Sequence, residues 1–304
     1  MMKILRYFFN TRYIVAAVQE SALIFMTESW KHALDAKKVV GIVSIDLSGA
    51  FDNVCHELLL MKLSVYGMGE SSIELMKNYL NERKICVRLH GKSYDQLYTM
   101  QKGIPQGSQW GPLIWNVFLN NLLLLISSCD AHIVAYADDI TIWIDGETVS
   151  NVQDKLSTVL SLAIDWLRQN KLCINQAKTQ CMGLGNHSEQ LQFHVNGESL
   201  PSQDSIKLLG VTIDRSFLYD FHIRKTIRTI AWKLCGINRL RKFVGRKTRW
   251  RLIETCILPH FDYASPLLIF ASRTSKRKLE AMYERCFELR RWTIVPLYQN
   301  FRPP

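Results

Sequence analysis

The chain lacks the cysteine and histidine spacings that are typical of small stapled domains. Its eight cysteines form no C-x-x-C pair, and its eight histidines show no zinc-type spacing. These absences argue against a disulfide framework and a structural zinc site. We expect the cysteines to be reduced, partly buried groups, as in an intracellular protein.

Long uninterrupted apolar runs are also missing. No run approaches the length needed to cross a bilayer, and the short one near the N-terminus is separated from Phe8 and Phe9 by Asn10 and Arg12. A membrane span and a signal peptide are therefore not expected, and we predict no membrane partner. Disorder is excluded too, because 48% of the 304 residues are hydrophobic, which is enough for a sizeable core.

Residues 224–251 contain no acid but eleven Lys or Arg, in a chain of net charge +11. This excess favours a polyanionic partner, and the interleaved aromatic rings could stack on bases. Isoleucine and leucine recur there at helical spacing, which predicts one core face and one basic face. A merely solvated basic face is the alternative. The candidate nucleic-acid ligands are Arg224, Lys225, Arg228, Lys233, Arg239, Arg241, Lys242, Arg246 and Lys247.

Two adjacent acids, Asp138 and Asp139, interrupt an otherwise apolar region. The flanks are rich in Ile, Val, Trp and Thr, which predicts two short strands joined by a tight turn that carries both acids. Neighbouring carboxylates repel each other unless a cation offsets the repulsion, and Mg²⁺ suits a compact cluster of hard oxygen ligands. A solvated Asp-Asp turn is the competing interpretation.

A second acidic site, Asp46, ends an apolar strand predicted at residues 39–45. Between the two sites lies a turn-rich loop, residues 103–112, which leads into an apolar helix predicted at 113–126. Glycine in such a loop lets the backbone approach a ligand closely. This ordered set of three features favours one catalytic site over three unrelated turns.

These three segments carry a resemblance to a known family. Residues 44–54 read SIDLSGAFDNV, residues 103–115 read GIPQGSQWGPLIW and residues 136–139 read YADD. In this order they resemble the polymerase motifs of reverse transcriptases, most closely those of non-LTR retrotransposons. Further similarity to the next palm motif, the primer grip and the thumb of the same family is found in residues 166–182, 206–214 and 227–268.

The resemblance implies an α+β fold, with a polymerase palm built on an antiparallel sheet with packed helices, followed by a mostly helical basic thumb. We therefore expect an N-terminal helical segment at 1–38 as a remnant of the fingers, the palm at 39–215 and the thumb-like nucleic-acid-binding region at 216–304. Three local predictions accompany it: a helix at 21–36, a strand at 206–213, and a capping box at 150–153 that opens a helix.

The implied activity is that of an RNA-directed DNA polymerase, which adds deoxynucleotides to a DNA primer on an RNA template with two Mg²⁺ ions, or Mn²⁺ in their place. By the resemblance, Asp46 and Asp138 would hold both ions and Asp139 would assist. Lys178 matches a lysine that could donate a proton to pyrophosphate. A solvated surface charge is the alternative for Lys178.

Nucleotide contacts are implied in the same way. Phe51 falls at the ribose-gating position of the family, where a bulky ring would clash with a 2′ hydroxyl and so favour deoxynucleotides. An ordinary core phenylalanine is the alternative. Gln106, Gly107 and Tyr136 match residues near the nascent base pair.

Only 45 residues precede Asp46, fewer than the fingers of the family occupy, so the chain is expected to be truncated. Two functions therefore stay open. One is a working polymerase core, and the other is a catalytically inactive retrotransposon relic that only binds nucleic acid.

Overall fold

Helices and strands are mixed throughout the chain, in keeping with its alternating apolar periodicities. The computed structural model describes residues 9–10, 13–15, 19–81, 83–86, 88–89, 92–93, 97–195 and 197–291. The chain divides into two units, Met1–Asp204 and Ser205–Pro304.

A six-stranded sheet organises the first unit. Within this unit the strands described are β1 (Phe9–Asn10), β2 (Tyr13–Val15), β3 (Val39–Ile45), β4 (Lys84–Ile85), β5 (Arg88–Leu89), β6 (Lys92–Ser93), β7 (Tyr98–Thr99), β8 (His132–Tyr136), β9 (Asp139–Gly146), β10 (Gln180–Leu184), β11 (Phe193–Val195) and β12 (Glu198–Leu200). The large sheet has the order β1-β2-β8-β9-β3-β10. Neighbouring strands in it are antiparallel except for the parallel pair β2 and β8. The central strand β3 is buried along its whole length, because its valines and isoleucines fill both faces.

Helices pack on this sheet through their apolar stripes. They are α1 (Gln19–Asp35), α2 (His56–Val65), α3 (Glu70–Leu80), α4 (Gly111–Ser128) and α5 (Val149–Gln169). Helix α1 contacts β3 and β8, α4 contacts β2 and β8, and α5 contacts β3 and β9. The buried side chains of α4 and α5 form one apolar core with those of α2 and α3 and of the strands they cover.

The N-terminal segment is not wholly helical. The helix predicted at 21–36 is confirmed with slightly shifted ends as α1, but β1 and β2 precede it and lie at the edge of the large sheet. The β-branched residues of β2 pair with β8, and this pairing overrides the helical expectation for residues 1–38.

Helix α5 begins earlier than its predicted capping box. Its N-cap is Thr148, whose hydroxyl accepts a hydrogen bond from the backbone N–H of Asn151 at 3.2 Å. The predicted box at 150–153 is therefore wrong, because those residues already lie inside the first turn.

Helix α4 corrects the expectation that no segment could span a bilayer. Among the described residues it is the one helix that is long and apolar enough by length and composition. Asparagines interrupt its apolar run, which is why no long run was seen in the sequence. The mean hydropathy of the 18 residues is nevertheless 1.3. The helix is 56% buried and packs against α2, α5 and β8, which is the environment of a core helix.

The second unit joins a strand pair to a group of helices. Its elements are β13 (Ser205–Leu208), β14 (Val211–Asp214), α6 (Asp220–Arg239), α7 (Arg246–Cys256), α8 (Pro259–Asp262) and α9 (Arg273–Arg291). The single strand predicted at 206–213 is wrong. Leu209 and Gly210 have φ angles of +46° and +83°, and they turn the chain so that Ile206 pairs with Ile213.

This strand pair belongs with the helices that follow it, so the boundary expected near residue 215 lies instead between Asp204 and Ser205. The carboxylate of Asp214 accepts hydrogen bonds from the backbone N–H groups of Ser216, Leu218 and Tyr219, just before α6 begins. Apolar side chains of α6, α7 and α9 then form a separate core. The assignment of these units as palm and thumb stays a prediction.

A buried lysine provides a pH test of the first unit. Lys62 on α2 is 8% exposed, and its ammonium donates to the Phe118 carbonyl at 2.8 Å and lies over the rings of Phe118 and Trp166. Burial lowers the pKa of Lys62 from 10.5 to about 8. Between these values the folded chain holds fewer protons than the unfolded chain, so this group makes stability rise with pH.

We expect the free energy of unfolding to rise from about pH 7.5 to about pH 10 by about 2 kcal/mol more in the parent chain than in Lys62→Met. Denaturant unfolding at the two pH values measures this difference. Lys77→Met, which removes an exposed lysine on α3, is the matched control for the loss of a lysine side chain. If the stability of the parent chain and that of Lys62→Met change equally with pH, the pKa of Lys62 is not lowered in the folded chain.

Candidate active site

The acids Asp138 and Asp139 lie where the hairpin of β8 and β9 reverses. Tyr136 pairs with Asp139, so Ala137 and Asp138 form a two-residue turn. Ala137 has a φ of +52°, the left-handed value that such hairpin turns require at their first central position. The predicted hairpin is confirmed, with Asp138 in its turn and Asp139 beside it as the first residue of β9, both at an exposed end of the sheet.

Asp46 lies at the same end of the sheet. The last pair between β3 and β9 is Ile45 with Ile140, so Asp46, which follows Ile45, and Asp139, which precedes Ile140, both adjoin this terminal pair. The strand order that brings β3 beside β9 therefore brings together acids that are far apart in sequence.

Lys178 reaches this group of acids from the other neighbour of β3. Strand β10 pairs with β3 with Gln180 opposite Ser44, and the chain just before it carries Lys178 toward Asp46. The Lys178 ammonium lies 3.8 Å from Asp46 Oδ2. The backbone N–H of Asn175 donates to the Asp46 carbonyl at 2.8 Å and holds this approach.

The donor chemistry at this sheet end fits Mg²⁺. Among the described residues, no three His, Cys, Asp or Glu side chains are gathered tightly enough to hold a metal ion unaided. Mg²⁺ does not require such a cage, since it usually binds through one or two carboxylates and completes its shell with water and substrate phosphates. Asp46, Asp138 and Asp139 offer only hard oxygen ligands.

Phe51 lies in a short 3₁₀ turn after β3 and packs its half-buried ring on Trp115 of α4. The ring centroids are 5.0 Å apart and the planes are tilted by 33°. Trp115 is 1% exposed, and its indole N–H donates to the carbonyl of Ala137 at 2.5 Å. One side chain thus contacts both the Phe51 ring and the acid-bearing turn.

The loop before α4 is bound to the Phe51 segment by backbone hydrogen bonds. The N–H of Gly103 donates to Val54 O, and that of Ile104 donates to Phe51 O, both at 2.8 Å. The Gln106 amide adds a side-chain bond to Asp52 Oδ1 at 3.1 Å. These bonds fix the predicted nucleotide-binding loop beside the predicted ribose gate.

Two glycines of this loop serve different needs. Gly103 has a φ of +91°, and a Cβ there would lie 2.8 Å from the carbonyl oxygen of Asp52, so the close approach of two backbones requires glycine. Gly107 has a φ of +77°, but a Cβ would meet nothing within 4 Å. The space beside Gly107 is therefore open, as a surface that faces a ligand would be.

A basic groove runs along α6 in the second unit. Its volume is about 490 Å³, and its five lining residues repeat at helical spacing. Trp232, which is 77% exposed, lies among the cations of this groove. An exposed ring beside basic groups can stack on a base while the cations neutralise phosphates. The lining residues are Lys225, Arg228, Thr229, Trp232 and Lys233.

Lys233 differs from the other cations of the groove because it has partners in the second unit. Its ammonium donates to the Cys256 carbonyl at 3.1 Å and to His260 Nε2 at 2.7 Å. Burial, and next the charge of Lys233, lowers the pKa of His260. A neutral imidazole is the form that can accept this hydrogen bond.

The remaining predicted cations are spread over α6, α7 and the segment between them. Arg224 is exposed and donates to the carbonyl of Asp220. The side chain of Arg241 lies outside the described part of the chain. Exposed positions on or near the segment between the two helices are occupied by Arg239, Lys242, Arg246 and Lys247.

A family model for reverse transcriptases (RNA-dependent DNA polymerases) matches residues 6–213. The chain belongs to the reverse transcriptase family. The match contains the acid-bearing hairpin, Asp46 and the loop before α4.

Curated relatives place this reverse transcriptase with those of non-LTR retrotransposons. It is 26% identical over 293 residues to a probable RNA-directed DNA polymerase from transposon BS of Drosophila melanogaster, covering 90% of this chain and 31% of the relative. It is 30% identical over 229 residues to a Pol polyprotein from the R1 retrotransposable element of Bradysia coprophila, covering 74% of this chain and 22% of the relative. The chain thus spans about a third or less of the length of these relatives.

A solved structure with a similar fold is that of apo telomerase from Candida tropicalis. The TM-score is 0.50 at 11% sequence identity, and the match covers 95% of this chain and 53% of the telomerase chain. At this identity the similarity concerns the fold, and it agrees with the mixed helix and sheet architecture of this reverse transcriptase.

Sequence reasoning missed the residues that hold this site together. Trp115 was predicted only as part of an apolar helix, and Asp52 was not among the predicted site residues. Their roles depend on side-chain contacts with segments remote in sequence, such as the bonds to Ala137 and Gln106. For Trp115, the one available signal was an indole, which needs a hydrogen-bond acceptor when it is buried.

Proposed function

We propose that this reverse transcriptase chain is an RNA-directed DNA polymerase core, with its first unit as the palm and its second as a nucleic-acid-binding thumb. The observation that supports the proposal is the strand register, which brings Asp46 to the same end of the sheet as Asp138 and Asp139. Membership of the family supports the reaction class. The proposed substrates are a DNA primer on an RNA template and deoxynucleoside triphosphates.

Asp46 and Asp138 would hold two Mg²⁺ ions, with Asp139 assisting. Bound there, the ions would favour deprotonation of the primer 3′ hydroxyl and stabilise negative charge on the pyrophosphate. The 3′ oxygen forms a bond to the α-phosphorus as the bond to pyrophosphate breaks. Lys178 lies beside Asp46, where it could give a proton to the leaving group.

The Phe51 segment and the loop before α4 would bind the incoming nucleotide. The half-buried Phe51 ring is backed by Trp115 and would exclude a 2′ hydroxyl. Gln106 is oriented by Asp52, and Gly107, where an added Cβ would meet nothing within 4 Å, would let the base pair approach the backbone closely. Tyr136 precedes the acid-bearing turn and would support the nucleotide from the hairpin.

The direct test is extension of a labelled DNA primer on an RNA template with Mg²⁺ and deoxynucleotides. We expect templated extension that stops when the metal is chelated. No extension, with salt-sensitive template binding retained, would overturn the polymerase proposal for this chain and leave a protein that only binds nucleic acid.

The α6 groove gives a separate prediction about template binding. Replacing Trp232 with alanine should weaken binding of a primed template about tenfold, because a ring that stacks on one base contributes about 1–3 kcal/mol. The slope of affinity against salt concentration should not change, since no charge is lost. Fluorescence anisotropy across a salt series measures both quantities.

Two further variants separate stacking from charge in this groove. Trp232→Phe keeps an aromatic ring and should retain most of the affinity. Lys225→Gln should instead reduce the salt slope by about one, which is the expected loss for one phosphate contact. Equal affinities for the parent and Trp232→Ala would show that the ring does not contact the template.

A further inference from the structure

We propose that Trp115 is a positioning residue that couples the Phe51 ring to the turn that carries Asp138. The inference rests on the proposed polymerase function. Two contacts of one buried side chain carry it, the 5.0 Å ring contact with Phe51 and the 2.5 Å hydrogen bond to Ala137 O.

The turn needs support from outside the hairpin. Ala137 has a φ of +52°, a value that residues other than glycine rarely adopt unless their surroundings impose it. Ala137 and Asp138 are exposed, so core packing does not fix the turn. Among the side-chain bonds described in the structure, the indole N–H of Trp115 is the donor to the Ala137 carbonyl. It therefore helps to set where Asp138 lies.

The second contact of Trp115 is with the Phe51 ring. Trp115 continues into a column of rings, with Phe118 at 6.3 Å and Trp166 a further 6.3 Å beyond it. Phe118, like Trp115, is buried. A ring that rests on this column has little freedom to yield to a 2′ hydroxyl. Trp115 thus links the sugar-sensing ring and the acids through one rigid group.

The experiment separates the two contacts. Trp115→Phe keeps a ring under Phe51 but removes the N–H, whereas Trp115→Leu removes both. Trp143→Phe is the matched control, because Trp143 on β9 is as deeply buried as Trp115 and donates its N–H to Ser29 Oγ, away from the turn. Each protein is assayed for extension with deoxynucleotides and ribonucleotides, and for hydrogen exchange of the amides at 137–140.

We expect Trp115→Phe to speed amide exchange in the turn about tenfold and to lower kcat about tenfold, with the preference for deoxynucleotides kept. Trp115→Leu should in addition reduce that preference about tenfold. Trp143→Phe should change none of these quantities. Each tenfold effect corresponds to the loss of about one hydrogen bond or one ring contact.

The inference is overturned if exchange in the turn and kcat of both Trp115 variants match those of Trp143→Phe. Failure of the polymerase proposal has a different signature, in which the parent chain itself does not extend a primer. Hydrogen exchange then still shows whether Trp115 holds the turn. If Trp115→Leu does not fold, the comparison of Trp115→Phe with Trp143→Phe decides the outcome.

Discussion

Asp138→Asn is expected to lower the rate of primer extension by about a thousandfold. Asparagine has nearly the same shape and also favours turns, so the hairpin should persist. The change removes one negative charge from the sheet end that also carries Asp46 and Asp139. Losing a carboxylate that holds a metal ion forfeits several kcal/mol of transition-state stabilisation, and each 1.36 kcal/mol is a factor of ten.

Single-nucleotide extension under saturating template measures this rate. The matched control is Asp130→Asn, which alters an acid just before β8 whose carboxylate pairs with Lys155 at 3.2 Å. Asp130 also has a left-handed φ, of +59°, which asparagine tolerates. The control should extend at the parent rate. If Asp138→Asn extends the primer as fast as this control, the Asp138 carboxylate does not hold a catalytic metal ion.

Phe51→Ala is expected to reduce the preference for deoxynucleotides over ribonucleotides about a hundredfold. The ring is held against Trp115, so in the parent chain it cannot swing aside for a 2′ hydroxyl. Removing it opens that space, and discrimination by steric exclusion in a close-fitting pocket is typically about 10–200-fold. The effect should appear as a gain in kcat/KM for ribonucleotides, with a smaller change for deoxynucleotides.

Competition between dTTP and UTP on one template measures the preference directly. Phe25→Ala is the matched control, because the Phe25 ring is also half-buried and packs on a tryptophan, Trp143, at 5.9 Å. It should lower stability without changing sugar choice. If Phe51→Ala also keeps the parent preference, Phe51 is an ordinary core residue, which is the alternative that its sequence position left open.

Local patterns predicted much of the fold. The strand at 39–45 and the hairpin around the acids are confirmed because β-branched runs and an Asp-containing turn act over a few residues. The predicted helices are present with small shifts at their ends. Prediction was poorer where one contact decides between alternatives, as at Thr148, whose hydroxyl caps α5.

The strand pair at 205–214 shows why a pattern can mislead. Its sequence reads as one apolar strand, yet Leu209 and Gly210 reverse the chain. The hydroxyl of Tyr263 donates to the Leu209 carbonyl from 54 residues away in sequence. A hydrogen bond from so remote a residue does not change the local spacing of apolar residues, so the sequence pattern could not reveal it.

The sequence by itself determined which residues are proposed to carry the chemistry: the acids at 46, 138 and 139, the Phe51 and Gln106 segments, and a basic stretch free of acids. These signals are local, since each depends on residue types within one short segment. Only the tertiary structure decided how the segments meet. Strand order brings Asp46 to the same sheet end as Asp138 and Asp139, and a buried indole joins the acid turn to Phe51. Register, burial and hydrogen bonding between remote segments are properties of the packed chain, and no single segment encodes them.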